Sequence, residues 1–261
     1  MLRTLYSSAT GMQSQQLNLD VIANNLANVN TTGFKKSKIE FQDLLYQTTR
    51  IAGAEQGAGN QLPTGLQIGH GSRAVATSRV FTNGELSQTG EKLDIAISGD
   101  GFFEVELPDG SQGFSRDGGF KVASDGRVVT SDGLTVRSGF TNIPQNQTGI
   151  NIANTGEITV ATPGGEQNLG RVQLTRFNNP SGLEPLGRNL FKQTNASGPP
   201  QTGNPNEDGF GQLAQGYLEL SNVKVVEEMV NLILAQRAYE VNSKAVQAAD
   251  EMMQQSNNLR R

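Results

Sequence analysis

The amino-terminal segment carries a heptad seam, and this seam constrains the fold more than any other feature of the sequence. Its apolar residues alternate at intervals of four and three, with Gln16 and Asn30 at the remaining steps. The seam comprises Leu5, Ala9, Met12, Leu19, Ala23 and Leu26. The opposite face is polar and almost uncharged, with Ser7, Ser14, Gln15, Asn18 and Asn25. The pattern predicts a helix that lies along other helices and ends in the polar, glycine-containing stretch 28–33.

A second helix is predicted at the other end of the chain, from Ser221 or Asn222 to about Asn257, because this stretch has neither proline nor glycine. Acidic residues lie near its start, and basic residues, including Arg260 and Arg261, lie later, as the helix dipole favours. One apolar stripe comprises Val225, Met229, Leu232, Tyr239, Val246 and Met253. A second stripe beside it comprises Val230, Leu234, Val241, Ala245, Ala248 and Met252. Two adjacent stripes form a face that is too wide for one neighbouring helix.

The length of this second helix sets a further constraint. At about 1.5 Å per residue it would be about 55–60 Å long. A compact globule of this chain length would have a diameter of only about 47 Å. One chain therefore cannot enclose the helix, and we expect other molecules to cover part of its apolar surface.

The middle of the chain is predicted to be β-structure. Asp-Gly pairs begin at Asp100, Asp109, Asp117, Asp125 and Asp132, with short β-prone runs between them. The predicted fold class is α+β: a split coiled-coil helical domain (1–36 and 217–261) with an inserted antiparallel all-β domain (72–192). Glycine-rich segments at 37–71 and 193–216 are predicted to be extended connectors between them.

Composition excludes several function classes. The formal net charge is −4 without a basic stripe, which argues against a nucleic-acid partner. The chain has no cysteine, and therefore neither disulfides nor thiolate metal sites. No apolar run is long enough for a membrane span, so no membrane insertion is expected. Polar residues interrupt the amino-terminal segment, so we expect export without a cleaved signal peptide.

The sequence predicts no enzyme site and no catalytic, cofactor-binding or metal-binding residues. His70 is the only histidine, and it has no catalytic constellation around it. The Asp-Gly pairs lack the ligand ladder of a calcium loop and are interpreted as turns. Lys35, Lys36 and Lys38 form a basic run that fits a solvated surface and docking on an acidic neighbour equally well.

Several motifs resemble a known family. Residues 21–35 (VIANNLANVNTTGFK) resemble the amino-terminal signature of the bacterial flagellar rod and hook proteins. The carboxy-terminal signature is matched at 228–231, 236–240 and 242–245. Three further segments, 41–47, 62–69 and 99–103, resemble the distal-rod members of that family. The likeness covers essentially the whole chain.

The resemblance implies a structural subunit of the flagellar rod that self-assembles into a helical tube. The terminal helices would pack in coiled-coil layers around a channel, the β domain would face outward, and the connector after Thr48 would stiffen contacts between subunits. Expected partners are other copies of the chain, other rod proteins, the hook protein and the L–P ring, in a periplasm-spanning basal body. The predicted assembly contacts are the amino-terminal seam, the stripe beginning at Val225 and the signature residues Asn24, Asn25, Asn28, Gly33 and Phe34.

Two alternatives remain open from the sequence. Another rod or hook protein of the same family would share both terminal signatures. A β-rich adhesin or binding module on a coiled-coil stalk would share the coarse pattern, but it should display exposed aromatic residues. The chain has four tyrosines and no tryptophan, which weakens this alternative.

Overall fold

The computed structural model describes residues 2–51, 53, 63–144 and 146–258. These residues form two α-helices, α1 (Leu2–Ala27) and α2 (Val225–Asn258), with nineteen β-strands between them. The strands of the first half are β1 (Ser37–Asp43), β2 (Tyr46–Arg50), β3 (Leu66–Gly69), β4 (Ser72–Arg79), β5 (Leu86–Gln88), β6 (Ile95–Ser98), β7 (Phe103–Glu106), β8 (Gln112–Ser115), β9 (Lys121–Val122) and β10 (Val128–Val129). The strands of the second half are β11 (Gly149–Ile152), β12 (Glu157–Thr162), β13 (Gly165–Arg171), β14 (Leu174–Arg176), β15 (Glu184–Gly187), β16 (Leu190–Lys192), β17 (Gln201–Gly203), β18 (Gln212–Gln215) and β19 (Tyr217–Glu219). The α+β arrangement predicted from the sequence is confirmed.

The chain divides into two compact units. Unit 1 contains the described residues within 1–26, 37–78 and 225–261, and unit 2 contains 27–36 and the described residues within 79–224. These boundaries differ from the predicted ones, because 27–36 and 193–224 belong with the β-rich unit and the described residues within 37–78 belong with the helices.

Both terminal helices form where they were predicted. Helix α1 ends at Ala27, next to the polar stretch, and α2 carries Glu227 and Glu228 in its first turn. Helix α2 begins at Val225, a few residues later than predicted, and the hydroxyl of Ser221 accepts the N–H of Val223 (3.3 Å) before the helix starts. The second candidate cap, Asn222, has other partners. The side-chain amide of Asn222 donates to the carbonyls of Val80 and Thr82 instead (2.8 and 3.2 Å). Arg260 and Arg261 lie outside the described residues.

The predicted first connector contains paired strands. In unit 1, β1 pairs with β4, and β2 forms an antiparallel hairpin with β3. Residues 52 and 54–62, including the start of the 62–69 motif, lie outside the described residues. Because β4 completes the pair with β1, the segment from Ser72 packs with unit 1 and is not part of the predicted all-β domain.

Unit 2 is built from small antiparallel sheets around an apolar core. The largest sheets have the orders β15-β16-β8-β7 and β11-β12-β13. Two clusters of buried side chains fill the unit, a large aliphatic cluster and a smaller one of phenylalanines with one leucine. The prediction that 193–216 is a connector is wrong, since β17 pairs with β14 and β18 pairs with β6. Leu213 stabilises the pair of β18 and β6, because its side chain is buried in the aliphatic cluster.

Three of the five Asp-Gly pairs form tight turns, as predicted. Gly110, Gly126 and Gly133 adopt positive φ angles of 79°, 86° and 81° at the turns. The carboxylates of Asp109 and Asp125 accept backbone N–H groups two residues on, which is the usual Asx-turn role. The turn interpretation of these three pairs is therefore confirmed.

Gly118 has a different role from the turn glycines. A Cβ at this position would lie 1.7 Å from the carbonyl oxygen of Ile95, so only glycine permits the close approach of these two backbone segments. The neighbouring Gly119 has more space, since the nearest atom that a Cβ there would meet, Oδ1 of Asp117, lies 3.5 Å away.

We therefore expect Gly118→Ala to lower the free energy of unfolding by about 3 kcal/mol, because the backbone must move to admit the methyl group. Gly119→Ala is the matched control, with an expected change below about 1 kcal/mol. Urea unfolding followed by circular dichroism measures both values. Equal effects of the two substitutions would contradict the close-approach explanation.

Candidate assembly interface

The two helices of unit 1 run antiparallel to each other. Near one end of the pair, Nδ2 of Asn25 donates to Oε2 of Glu228 (3.4 Å). Further along, a Cβ on Gly11 would lie 3.0 Å from Nδ2 of Asn242. The two contacts are separated by two heptads on each helix, so one heptad register relates α1 to α2.

The contact face of α2 is a stripe of small and polar residues. The buried residues of α2 are Glu228, Ala235 and Ala249. These positions and Asn242 repeat at heptad spacing, on the same phase as the contacts with α1. The first predicted apolar stripe flanks this face, since its Leu232, Val246 and Met253 are half-buried.

The contact face of α1 also differs from the prediction. Ser14 and Asn25 were placed on the outer polar face of the predicted helix, but both side chains are buried. Their burial is possible because their polar groups have partners. Asn25 accepts from the N–H of Ser37 and donates to its carbonyl (both 2.9 Å), and Ser14 donates to the carbonyl of Ser72 (3.4 Å). A pattern of hydrophobicity alone cannot reveal such pairing, because it treats these side chains as solvent-seeking.

The predicted assembly residues fall into three groups by exposure. The exposed ones are Ala9, Ala23, Asn24, Val225, Met229 and Tyr239. The half-buried ones are Leu5, Met12, Leu19, Leu26, Asn28, Leu232, Val246 and Met253. The buried ones are Asn25, Gly33 and Phe34.

The apolar surface of α2 is larger than the stripe assigned as an assembly contact. In the second stripe, Val230, Leu234, Val241 and Met252 are all exposed, Val241 to 65%. Val226 and Ile233 add further exposed apolar area that no stripe included. An exposed apolar surface of this extent marks an interaction site, because water-exposed patches on monomeric proteins are usually small.

The β2–β3 hairpin is a further exposed apolar element of unit 1. It or its immediate neighbours present Leu45, Tyr46, Ile51, Leu66 and Ile68 to solvent, with Leu45 exposed to 87%. These side chains were not predicted as contacts. The sequence pattern that could have predicted an apolar strand face here is the alternation of Leu66 and Ile68 with polar residues.

Gly33 and Phe34 of the amino-terminal signature make their contacts inside unit 2. Gly33 has φ 67°, and a Cβ there would lie 2.7 Å from the backbone nitrogen of Asp117. Phe34 lies under the guanidinium of Arg79, which is 5.4 Å from the ring centroid. The contacts observed for both residues are within the subunit, and their assignment as assembly contacts stays a prediction.

Lys35 is fully buried in a cluster of charged side chains in unit 2. Its Nζ donates to Oε1 of Glu219 (2.6 Å) and to the carbonyl of Thr82 (2.8 Å). Arg116 is also buried, and its Nε lies 3.8 Å from Oε2 of Glu219. Burial lowers the pKa of Lys35, Arg116 lowers it further, and the carboxylate of Glu219 opposes both. Neither prediction for the basic run, a solvated surface or a docking site, holds for this residue.

The remaining sequence candidates show no catalytic arrangement. The ring of His70 lies edge-on to that of Tyr6, with centroids 6.4 Å apart. Within the described residues, no group of three or more potential metal ligands comes together. In the same part of the chain, neither helix has the length and apolar character needed to cross a membrane.

Comparison with protein families gives three matches. The model described as flagella basal body rod protein matches residues 5–35, and the flagellar hook protein FlgE/F/G D1 domain matches 96–160. The model described as flagellar basal body rod FlgEFG protein C-terminal matches 214–259. The first and last of these matches cover most of α1 and all of α2, the two helices with exposed apolar side chains.

Curated relatives match over the whole length. The flagellar basal-body rod protein FlgG of Buchnera aphidicola subsp. Acyrthosiphon pisum (strain APS) is 48% identical over 261 residues, which cover 99% of this chain and 100% of the relative. In Bacillus subtilis (strain 168), FlgG is 38% identical and the flagellar hook-basal body complex protein FlhP is 32% identical, each over 100% of both chains.

A β-rich middle between two helices with uncovered apolar stripes defines a structural protein that assembles with other chains. The chain belongs to the flagellar basal-body rod FlgEFG family. Members of this family are structural parts of the flagellar basal body, which confirms the predicted family and the expectation that the chain is not an enzyme. The higher identity to FlgG also confirms the resemblance to the distal-rod members.

The role of Asn25 can be tested against its neighbour in the signature. We expect Asn25→Ala to accelerate hydrogen exchange at the Ser37 amide by about tenfold or more, because the substitution removes that amide's acceptor in a buried site. Asn24→Ala is the control, since Asn24 is exposed. Unchanged exchange at Ser37 in the Asn25 variant would contradict an internal role for this residue.

Proposed function

We propose that the chain is a subunit of the distal flagellar rod and that copies of it polymerise into a helical tube. One observation carries the proposal. Helix α2 contacts α1 at Glu228 and Asn242, and it leaves Val230, Leu234 and Val241 exposed. A helix whose apolar side chains are exposed in its own subunit favours contact with another molecule that covers them.

The partner best suited to this surface is a second copy of the chain. The half-buried seam of α1 and the stripes of α2 are different surfaces of the same unit, so contact between them is heterologous. Heterologous contacts that do not close into a ring generate an open helical polymer. Covering each exposed valine or leucine contributes about 1.5 kcal/mol or more, and the gain recurs at every subunit.

The remaining parts of unit 1 suit the same role. The exposed hairpin of β2 and β3 is a candidate second contact, and it supports the proposal that the segment after Thr48 stiffens the tube. A groove of about 540 Å³ lies in the same unit, between α1 and the β1–β4 pair, with Leu17, Val21 and Val75 in its lining. In the proposed tube, unit 1 forms coiled-coil layers around the channel and unit 2 faces outward.

Family membership supports the cellular part of the proposal. The polymer would act as the drive shaft through the periplasm and as a channel for exported subunits. Its ends would meet other rod proteins and the hook protein, and its outer surface would turn inside the L–P ring. The subunit would be exported by the flagellar type III route without cleavage of a signal peptide.

Substitution on the exposed stripe of α2 tests the interface. We expect Leu234→Asp to abolish polymerisation while the subunit keeps its circular dichroism spectrum, because Leu234 is 61% exposed before assembly and a charge there would be buried without a partner afterwards. Gln236→Asp adds the same charge at an exposed polar position of α2 and serves as the control. Sedimentation and negative-stain electron microscopy measure the outcome. Normal filaments from the Leu234 variant would contradict the proposed interface.

A cellular experiment tests the position in the rod. We expect basal bodies from a strain that lacks this gene to end in a shortened rod without a hook, because the distal segment would be missing. Complementation with the full chain should restore the length. Basal bodies with a complete rod and a missing hook would instead favour the hook-protein alternative.

A further inference from the structure

Three segments that are distant in the sequence meet around the buried carboxylate of Glu219. The carboxylate accepts from Nζ of Lys35 (2.6 Å) and from the backbone N–H of Gly84 (2.8 Å). Its own backbone carbonyl accepts from the N–H of Gly33 (2.8 Å). Glu219 therefore joins the segment 31–36 to the rest of unit 2 through both its side chain and its main chain.

Further hydrogen bonds close the same junction. The N–H of Lys36 donates to Oδ1 of Asn222 (2.8 Å), and the carbonyl of Lys36 accepts from the N–H of Val80 (2.9 Å). Arg79 donates to the carbonyl of Lys35 (3.0 Å). These bonds join the segment 31–36 to the rest of unit 2 through polar groups. The two apolar clusters of unit 2 contain no residue of this segment.

The charges at the junction are unequal. Two buried cations, Lys35 and Arg116, face the single buried carboxylate of Glu219. Removing a buried charge that has a partner leaves the remaining charge uncompensated, which is strongly unfavourable. Loss of Glu219 would leave Lys35 and Arg116 with only the exposed carboxylate of Asp100 as an opposite charge nearby, whereas loss of Lys35 would leave the pair of Arg116 and Glu219. The carboxylate is thus the group on which the junction depends.

We propose that Glu219, with Lys35 and Arg116, is a latch that holds the segment 31–36 on unit 2 and can open while the rest of the unit stays folded. The latch lies close in sequence to both helices, since α1 ends at Ala27 and α2 begins at Val225. The inference goes beyond polymerisation, because it concerns contacts within a single subunit and can be tested on the monomer.

Hydrogen exchange of the full-length monomer tests the latch. The reporter amides are those of Gly33, Lys36 and Val80, which donate across the junction. The reference amides are those of Val172 and Thr175, which donate to the carbonyls of Gly156 and Phe102 elsewhere in unit 2. In Glu219→Gln we expect exchange at the reporters to rise about a hundredfold or more relative to the references. In Lys35→Met we expect a rise of about tenfold or less, since a neutral pair remains.

The matched control is Glu106→Gln, because Glu106 makes an ion pair with Arg137 (2.7 Å) that is partly exposed on both sides. This variant should leave the reporters unchanged, as exposed pairs contribute little. An unchanged reporter rate in Glu219→Gln would overturn the latch. An equal rise at reporters and references would also overturn it, since the cluster would then be an ordinary part of the core.

A second variant keeps the test decisive if Glu219→Gln does not fold. Glu219→Asp retains the charge but withdraws the carboxylate by one methylene, which breaks its close contact with Lys35. Selective acceleration at the reporter amides of this variant is the expected result. Acceleration that is absent, or that is uniform across unit 2, would contradict the latch.

Discussion

The structure depends on the fact that one chain of this size cannot cover helix α2. With 34 residues the helix is about 50 Å long, and it leaves Val230, Leu234 and Val241 exposed. The apolar stripes that remain are stabilised only when other molecules cover them. The exposed hairpin of β2 and β3 belongs to the same unit and shares this property, whereas unit 2 buries its own core. The two units therefore differ, since unit 1 leaves apolar side chains exposed and unit 2 has two buried apolar clusters.

Residues of the amino-terminal signature make contacts inside each of the two units of the same subunit. Asn25 pairs with the backbone of Ser37 and reaches Glu228 in unit 1, while Gly33 and Lys35 are fixed in unit 2. A signature of this kind shapes the subunit that assembles, and its buried members need not touch a neighbour. In the proposed polymer, the exposed apolar residues of the two helices would then supply the contacts between subunits.

Local patterns in the sequence predicted the helices, the end of α1 at Ala27 and the Asp-Gly turns, because each depends on residues close together in the chain. The errors came from pairings over long sequence distances. The burial of Lys35 requires Glu219, and the β-structure of 193–216 requires β6 and β14, so neither could be predicted from local pattern. The polar contact face of α1 was assigned to solvent for the same reason, since the partner of Ser14 is on β4.

The separation of polar and apolar faces on α2 has a thermal consequence. Burial of apolar surface is driven by entropy near room temperature and weakens on cooling. Contacts between subunits through Leu234 and Val241 would therefore loosen in the cold, with heat absorbed on association and a negative change in heat capacity. The hydrogen bonds of Asn25 and Ser14 within each subunit do not share this dependence. Cooling would thus separate the subunits of the polymer before it disturbed the pairing of helices inside each of them.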